Sequence, residues 1–444
     1  MLLTEKEAKE ITDKILSYVK ADDAQVGVSS EKTSHLRFAG NAFLTSGNTV
    51  ERGANVTVWI KGKRGASSTS DLGDASLKAM VEQAEQVAEI SPVDREYLPT
   101  LSAQTYKPSN GYVEATANLS LTNRAKQIGD ILKESAKEKV ISGGFHQARA
   151  IAEAFATKNK NFGFEKRTVV GLSVTARMPD GTSSGYFARN HFDINRLDTA
   201  RIAKESIRKA IEGRNTKTVE PGIYTVILEP QAVADLLGGL AFQFNARSAE
   251  EGRSPYSLSG GKTKLGQKIF DERINIYSDP WNAELPASPS AQGGIPAEKI
   301  YLIKNGVLEN LIYNRFWAKQ KNVAPTPGPV NTIMESSGKS ASVEEMLAST
   351  EKGLLISRFW YIRATDPRTA SSTGLTRDGV WFIEKGKIAY PVRNFRFNQS
   401  IIQMLAQGNV EMIGKPERVG DGNGSLLPAL KLKAFNFTSA SDAV

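Results

Sequence analysis

Just past the midpoint, a β-branched run passes directly into a helical pattern interrupted by two adjacent glycines, and no other stretch restricts the fold as much. IYTVILEP, residues 223–230, has Pro-Gly ahead of it and Glu-Pro at its end, and reads as a buried strand. QAVADLLGGLAFQFNARSAEEG follows, with Val233, Leu236, Leu237, Leu240 and Phe244 at helical spacing. A core-facing helix is therefore expected over residues 233–244. Gly238 and Gly239 stand in its middle, where each costs about 1 kcal/mol relative to alanine. Close packing of another backbone is one reason for such a pair. A site on the helix, present or lost, is the other.

The 444 residues are more than one hydrophobic core usually serves, so two domains are expected. With 40% apolar and 24% charged residues, the composition is that of a globular chain. The absence of cysteine excludes disulfides, thiolate metal sites and cysteine nucleophiles. The N-terminus, MLLTEKEAKE, is charged where a signal peptide is apolar, and no run of 18 apolar residues occurs. A cytoplasmic protein without a membrane partner is the expectation. The net charge of +9 is scattered among alternating runs such as EKEAKE and KESAKEKV, so no specific nucleic-acid partner is expected.

The fold class read from the chain is α+β. Residues 1–216 are expected to form an N-terminal domain of helices on an antiparallel sheet. Thr4 and Glu7 make a capping box for a first helix with Ala8, Ile11, Ile15 and Val19 on its buried stripe. AQVGVSS, SHLRFAG and ANVTVWIKGKRGASSTS alternate like antiparallel strands, with a turn at residues 61–64. Helices are expected at 75–90 and near 121–137, then a meander over 147–191, then a helix capped by Asp198 and stopped by Gly213. Residues 217–444 are expected to form a C-terminal, mostly β domain, a barrel-like or strongly twisted sheet with one glycine-bearing helix at its groove. Its signals are the Asn305-Gly306 hairpin, the Ser342/Glu345 capping box, and the strand runs GLLISRFWYIRAT and GVWFIEKGKIAYPV.

The strand, helix and loop ending in KLGQKIF resemble the TldD/PmbA family, whose members include a zinc peptidase and its metal-free relative. WFIEKGKIAYPVRN and IYLIKNGVLEN are similar to two further hairpins of that family. Its zinc-bearing members carry HExxxH on this helix and a cysteine near the C-terminus. Beneath that motif LLGGLAFQ sets Gly238 and Gly239 at the first histidine and the glutamate, and Gln243 at the second histidine. VGDGNGSLLP falls where the cysteine stands, with Gly420 as the approximate match. Zinc takes imidazole, thiolate or carboxylate donors, so no metal, no cofactor and no catalytic residue is expected on this chain. It resembles the PmbA/TldE-like branch.

That resemblance implies a non-catalytic subunit of a TldD/TldE-type metallopeptidase. Its partner would be an HExxxH-bearing TldD-like chain, or a second copy when alone, and its substrate small unfolded peptides. The family name "modulator of DNA gyrase" supplies an alternative, a regulator that binds gyrase or its inhibitors. Groove candidates are Gln243, then Arg247 and Arg253, whose guanidinium groups could hold peptide carboxylates or pair with Glu250 and Glu251. Asp366, Arg368, Arg377 and Asp378 join them from a polar stretch read as a long loop between strands. His35, His146 and His191 show no ligand spacing, SGGKT lacks the context of a phosphate loop, and Ser254, Ser257 and Ser259 lack a nucleophile elbow.

Overall fold

The computed structural model describes residues 2–238, 240–420 and 424–441, leaving out the side chains of Ala241 and Phe242. The N-terminal half runs α1 (Glu5–Tyr18), β1 (Asp23–Ala39), β2 (Ala42–Ile60), β3 (Lys63–Thr69), α2 (Asp74–Ile90), α3 (Glu114–Ala117) and α4 (Leu121–Lys137). It continues through β4 (Ile141–Thr157), β5 (Phe162–Arg177), β6 (Ser184–His191) and α5 (Thr199–Glu212). The expected caps are present: Thr4 and Glu7 bond reciprocally, and Asp198 accepts from the Arg201 N–H. The strands form one antiparallel sheet in the order β3-β2-β1-β4-β5-β6.

Helices cover one face of this sheet. Packed against α1 and α2 are Val26, Val28, Val56 and Val58, while Leu36, Phe38, Leu172 and Val174 pack against α4 and α5. Two glycines let helices lie directly on the outer strands. A Cβ at Gly65 would fall 1.9 Å from the Ala84 carbonyl oxygen, and one at Gly185 2.2 Å from that of Ser206. The opposite face carries Phe145, Gln147, Arg149, Glu153 and Phe155, and meets the C-terminal half.

That half contains β7 (Gly222–Leu228), α6 (Pro230–Leu237), α7 (Leu240–Gln243), α8 (Ala246–Glu250), β8 (Ile274–Ser278), β9 (Ile300–Lys304) and β10 (Val307–Leu308). Next come α9 (Arg315–Lys321), β11 (Ile333–Ser336), α10 (Val343–Ala348), β12 (Lys352–Asp366), β13 (Ser371–Glu384), β14 (Lys387–Pro391) and β15 (Phe395–Ser400). The last elements are α11 (Ile401–Met404), β16 (Val410–Ile413), β17 (Glu417–Val419), β18 (Ser425–Leu427) and β19 (Leu430–Ala440).

A seven-stranded sheet has the order β12-β7-β19-β15-β13-β14, with β16 on β19, and twists far enough that β12 also pairs with β13. Its core is an aromatic stack: Phe359 lies 4.7 Å from Phe397 and 5.4 Å from Phe435, ring to ring. A smaller sheet, β10-β9-β8-β11-β18-β17, packs into the same core. The α+β class and the twisted C-terminal sheet agree with the sequence. No helix among the described residues is long and apolar enough to cross a membrane.

Several local expectations are corrected. The helix expected over 233–244 is broken: α6 ends at Leu237 with Gly238 as its cap, and α7 begins at Leu240, while Gly239 lies outside the described residues. Gly238 is a weak helix former, costing about 1 kcal/mol relative to alanine. Among the described residues a Cβ at Gly238 would meet only its own turn, 3.5 Å from the Ala234 oxygen. The two short strands expected at 24–30 and 34–40 are one strand, because Glu31 is held on both sides, by the β-ladder and by Arg149 at 2.6 Å. The supposed loop 366–379 is mostly strand: only 367–370 turn, and Ser371 onward pairs with both β12 and β15.

Two expectations follow. His146 is buried, with Nε2 2.9 Å from Gln127 Oε1, and burial together with nearby Arg124 pushes its pKa down to about 4. The unfolded chain then binds the extra proton, so stability should fall as pH drops from about 6.5 to about 4, by about 3 kcal/mol. Urea titrations across this window should show that slope in the native chain and a flatter one in His146→Gln. Lys209, 2% exposed, pairs with Glu229 across the two halves. Lys209→Ala should cost about 3 kcal/mol by stranding the carboxylate, and Lys209→Met with Glu229→Gln should cost less, by the same measurement.

Candidate functional site

The junction of β7 and α6 holds the site together. Glu229 ends the strand and caps α6, and Pro230 occupies the first helical position, where its missing N–H costs nothing. The Glu229 N–H donates to the Ile356 carbonyl at 3.0 Å, and its carboxylate accepts from Lys209 of α5. One turn later Asp235 accepts from the Phe359 N–H at 2.8 Å, fixing α6 on β12. Val233, Leu236 and Leu237 face the core, so the helix end at Gly238 is exposed.

α6 packs against β17 and β18, the strands on either side of Gly420. The two elements that sequence comparison linked at a distance, the Gly238 helix and the Gly420 segment, are thus neighbours. Gly420 has φ +86°, a conformation that strains any side chain. Gln243 ends α7, and its backbone carbonyl accepts from Ser254 Oγ at 3.0 Å.

Around Gly420 the two halves are joined by charge. Arg189 of β6 and Arg201 of α5 reach Glu417 at 2.7 and 3.3 Å. Asn190 donates to the Gly420 carbonyl and accepts from Arg418 Nε at 2.7 Å. Arg418 also donates to the Glu284 carbonyl at 2.7 Å, and burial pushes its pKa down to about 10. His191 sits beside this network, its Nδ1 accepting from the Asp193 N–H and its Nε2 3.7 Å from Glu284. Burial, then Arg418 and Arg196, hold its pKa below the usual imidazole range. Among the described residues, no three histidine, cysteine, aspartate or glutamate side chains converge as a metal site would require. His35 and His146 lie on adjacent strands, with His146 turned among the helices.

Beside Gly420 a groove of about 380 Å³ opens along the uncovered face of the N-terminal sheet, lined by Phe145, Arg149, Tyr186 and Arg189. Among the described residues Gly420 is its one lining residue from the C-terminal half, whereas Asp378 lines a separate cavity of about 400 Å³ with Ser183 and Ser184. Asp378, 4% exposed and with φ +55°, accepts from Ser184 Oγ at 2.6 Å and lies 3.4 Å from Arg358. Arg358 in turn covers the Tyr186 ring at 3.9 Å, and Arg377 lies 5.1 Å from Trp360. The other candidates stand apart. Asp366 and Arg368 occupy the β12–β13 turn, some six residues along the strand and so about 20 Å away. Arg247 pairs with Glu96 and Glu251, and Arg253 with Glu251, so the surface pairing expected with Glu251 is present, whereas Glu250 pairs with Lys321. Sequence reasoning missed Arg189, Asn190, Arg358 and Arg418, because each side chain reaches a partner more than a hundred residues distant.

Two profiles of one family match the chain: the PmbA/TldA metallopeptidase C-terminal domain over residues 221–439, and the PmbA/TldA metallopeptidase domain 1 over residues 24–88. An uncharacterized protein of Methanocaldococcus jannaschii is 28% identical over 178 residues, 39% of this chain and 40% of that one. A metalloprotease PmbA homologue of Buchnera aphidicola is 27% identical over 143 residues, 32% of this chain and 31% of its own. The chain thus spans less than half the length of these two relatives. The structure superposes on TldE from Thermococcus kodakarensis with a TM-score of 0.86 at 16% identity, covering 97% of this chain and 99% of that one. A Thermotoga maritima protein described as a candidate modulator of DNA gyrase gives 0.83 at 19% identity, with 97% and 100% covered. These two likenesses concern the fold. The chain belongs to the PmbA/TldD family.

Proposed function

We propose that this chain is the metal-free, non-catalytic member of a two-component peptidase of the TldD/TldE type, acting on small unfolded peptides in the cytoplasm. The observation that carries the reading is the packing of α6, which ends at the exposed Gly238, against the two strands that flank Gly420. The scaffold of a family site is present, but its donor set does not fit zinc. Gly238 and Gly420 have no side-chain donor, and a glutamine amide is a weak one. The division into residues 1–216 and 217–444 belongs to the same proposal. So does the groove, to which Arg377 and Asp378 connect through Arg358 over the Tyr186 ring. Arg149 and Glu31 would flank an extended peptide laid along the sheet face.

The purified chain should hold no stoichiometric zinc, and a chelator should leave its Tm unchanged, since only a bound metal would stabilise the fold it binds. About one zinc per chain by elemental analysis would refute the donor-set argument.

Alone, the chain should not cleave peptides. Mixed with an HExxxH-bearing homologue from the same organism, it should co-purify as a stable complex that cleaves unstructured peptides. Gly238 is exposed, so Gly238→Trp should leave the Tm of the isolated chain intact while impairing the complex or its activity. A partner equally active without this chain would sink the proposal. Direct, salt-resistant binding of DNA gyrase by the isolated chain, at about 200 mM salt, would instead favour the regulatory reading that the Thermotoga description suggests.

A further inference from the structure

β2 is 19 residues long, but β3 pairs with it only from Ala54 to Ile60. Over residues 42–52 one edge of β2 meets β1, and no strand among the described residues meets the other. This segment is exposed on both faces apart from Gly47, with Phe43 at 51%, Leu44 at 59% and Val50 at 55% exposure. A long free edge carrying apolar side chains invites another strand. Its charged residues, Glu51 and Arg52, sit together at one end, so the rest of the edge is unguarded.

We propose that residues 42–52 form an antiparallel, edge-to-edge contact between two copies of this chain, centred on Gly47. A two-fold axis perpendicular to the sheet keeps each face aligned, so residues on the same face must meet. About Gly47 the sequence is complementary to itself. Leu44 falls opposite Val50 of the second copy, Thr45 opposite Thr49, and Ser46 opposite Asn48. Apolar pairs and threonine pairs are favourable cross-strand neighbours. Glu51 meets Phe43 and Arg52 meets Ala42, so no like charges face each other. Moving the centre to Asn48 would put Leu44 against Arg52 and lose the apolar pair. Gly47 is also the midpoint of the segment β3 leaves free. A substrate peptide could add to the same edge but would not account for this symmetry.

The inference rests on the expectation of a second copy when the chain is alone, and it fails separately from the two-component reading. Sedimentation of the full chain should give twice the 48.3 kDa mass. Leu44→Lys with Val50→Lys, both at exposed positions, should keep the native melting curve and weaken the dimer by about tenfold or more. Because the chain has no cysteine, Thr45→Cys and Thr49→Cys copies can report the register. Mixed and oxidised, they should cross-link, while either alone should not, since like residues would lie beyond disulfide reach. A monomeric native chain, or a dimer unaffected by the two lysines, would overturn the edge contact and leave pairing with an HExxxH-bearing homologue open. Loss of the dimer without cross-linking of the mixture would overturn the register.

Discussion

The buried pair of Lys209 and Glu229 ties the two halves of this chain at the point where the central strand becomes a helix. Lys209 belongs to α5, the last helix of the N-terminal half, and its ammonium also lies 5.3 Å from the Phe187 ring of β6. Glu229 caps α6 and anchors it by its own N–H to β12. A single ion pair thus orients the N-terminal sheet, the core helix and the twisted sheet together. Such a pair adds little net stability, because desolvation offsets its attraction. Its effect is to fix one relative placement. The groove beside Gly420 depends on that placement, since β4, β5 and β6 line it and Gly420 of the C-terminal half closes on it.

The seam has the character of a polar interface rather than a core. Glu417 draws two arginines, Arg418 is spent on Asn190 and a carbonyl, and Asp378 reaches across to Ser184. Each buried polar group here meets a partner from the opposite half. Charge-assisted hydrogen bonds are directional, so this seam sets a register in a way that apolar packing alone would not. The apolar cores lie behind it, with the valines beneath α1 and α2 and the phenylalanine stack between β12, β15 and β19.

Local signals in the sequence carried much of this. Thr4 with Glu7, Ser342 with Glu345, and Asn305-Gly306 each hold their own chemistry within a few residues, and each formed as expected. Strands whose polarity did not alternate were harder to see. Residues 42–52 have no buried side, so no periodicity marks them, and only pairing with β1 makes them strand. The segment after Asp366 is rich in serine and threonine and reads as loop, although Gly374 packs beneath the Phe397 ring and the ladder runs through it. The short strands of the smaller sheet carry too few residues for any pattern. Of the candidate site, the sequence pointed to Gly238 and Gly420 only through their resemblance to positions of a family motif. The arginines around Gly420 were not legible, because their partners are set by topology alone.

The two glycines at those positions are different in kind. At Gly238 the backbone is right-handed helical, with φ −54°, and a Cβ would meet nothing beyond its own turn. Among the described residues nothing beyond that turn lies within 4 Å of such a Cβ, so the backbone at this position does not demand glycine. Gly420 is different, since its φ of +86° reserves the place for glycine whatever the neighbours allow. Restoring a histidine at Gly238 therefore leaves the fold alone, whereas a cysteine at Gly420 would first have to change the backbone that Asn190 holds by its carbonyl. The two positions thus differ in what a substitution would ask of them: side-chain identity alone on the helix, and a change of backbone conformation at the late segment.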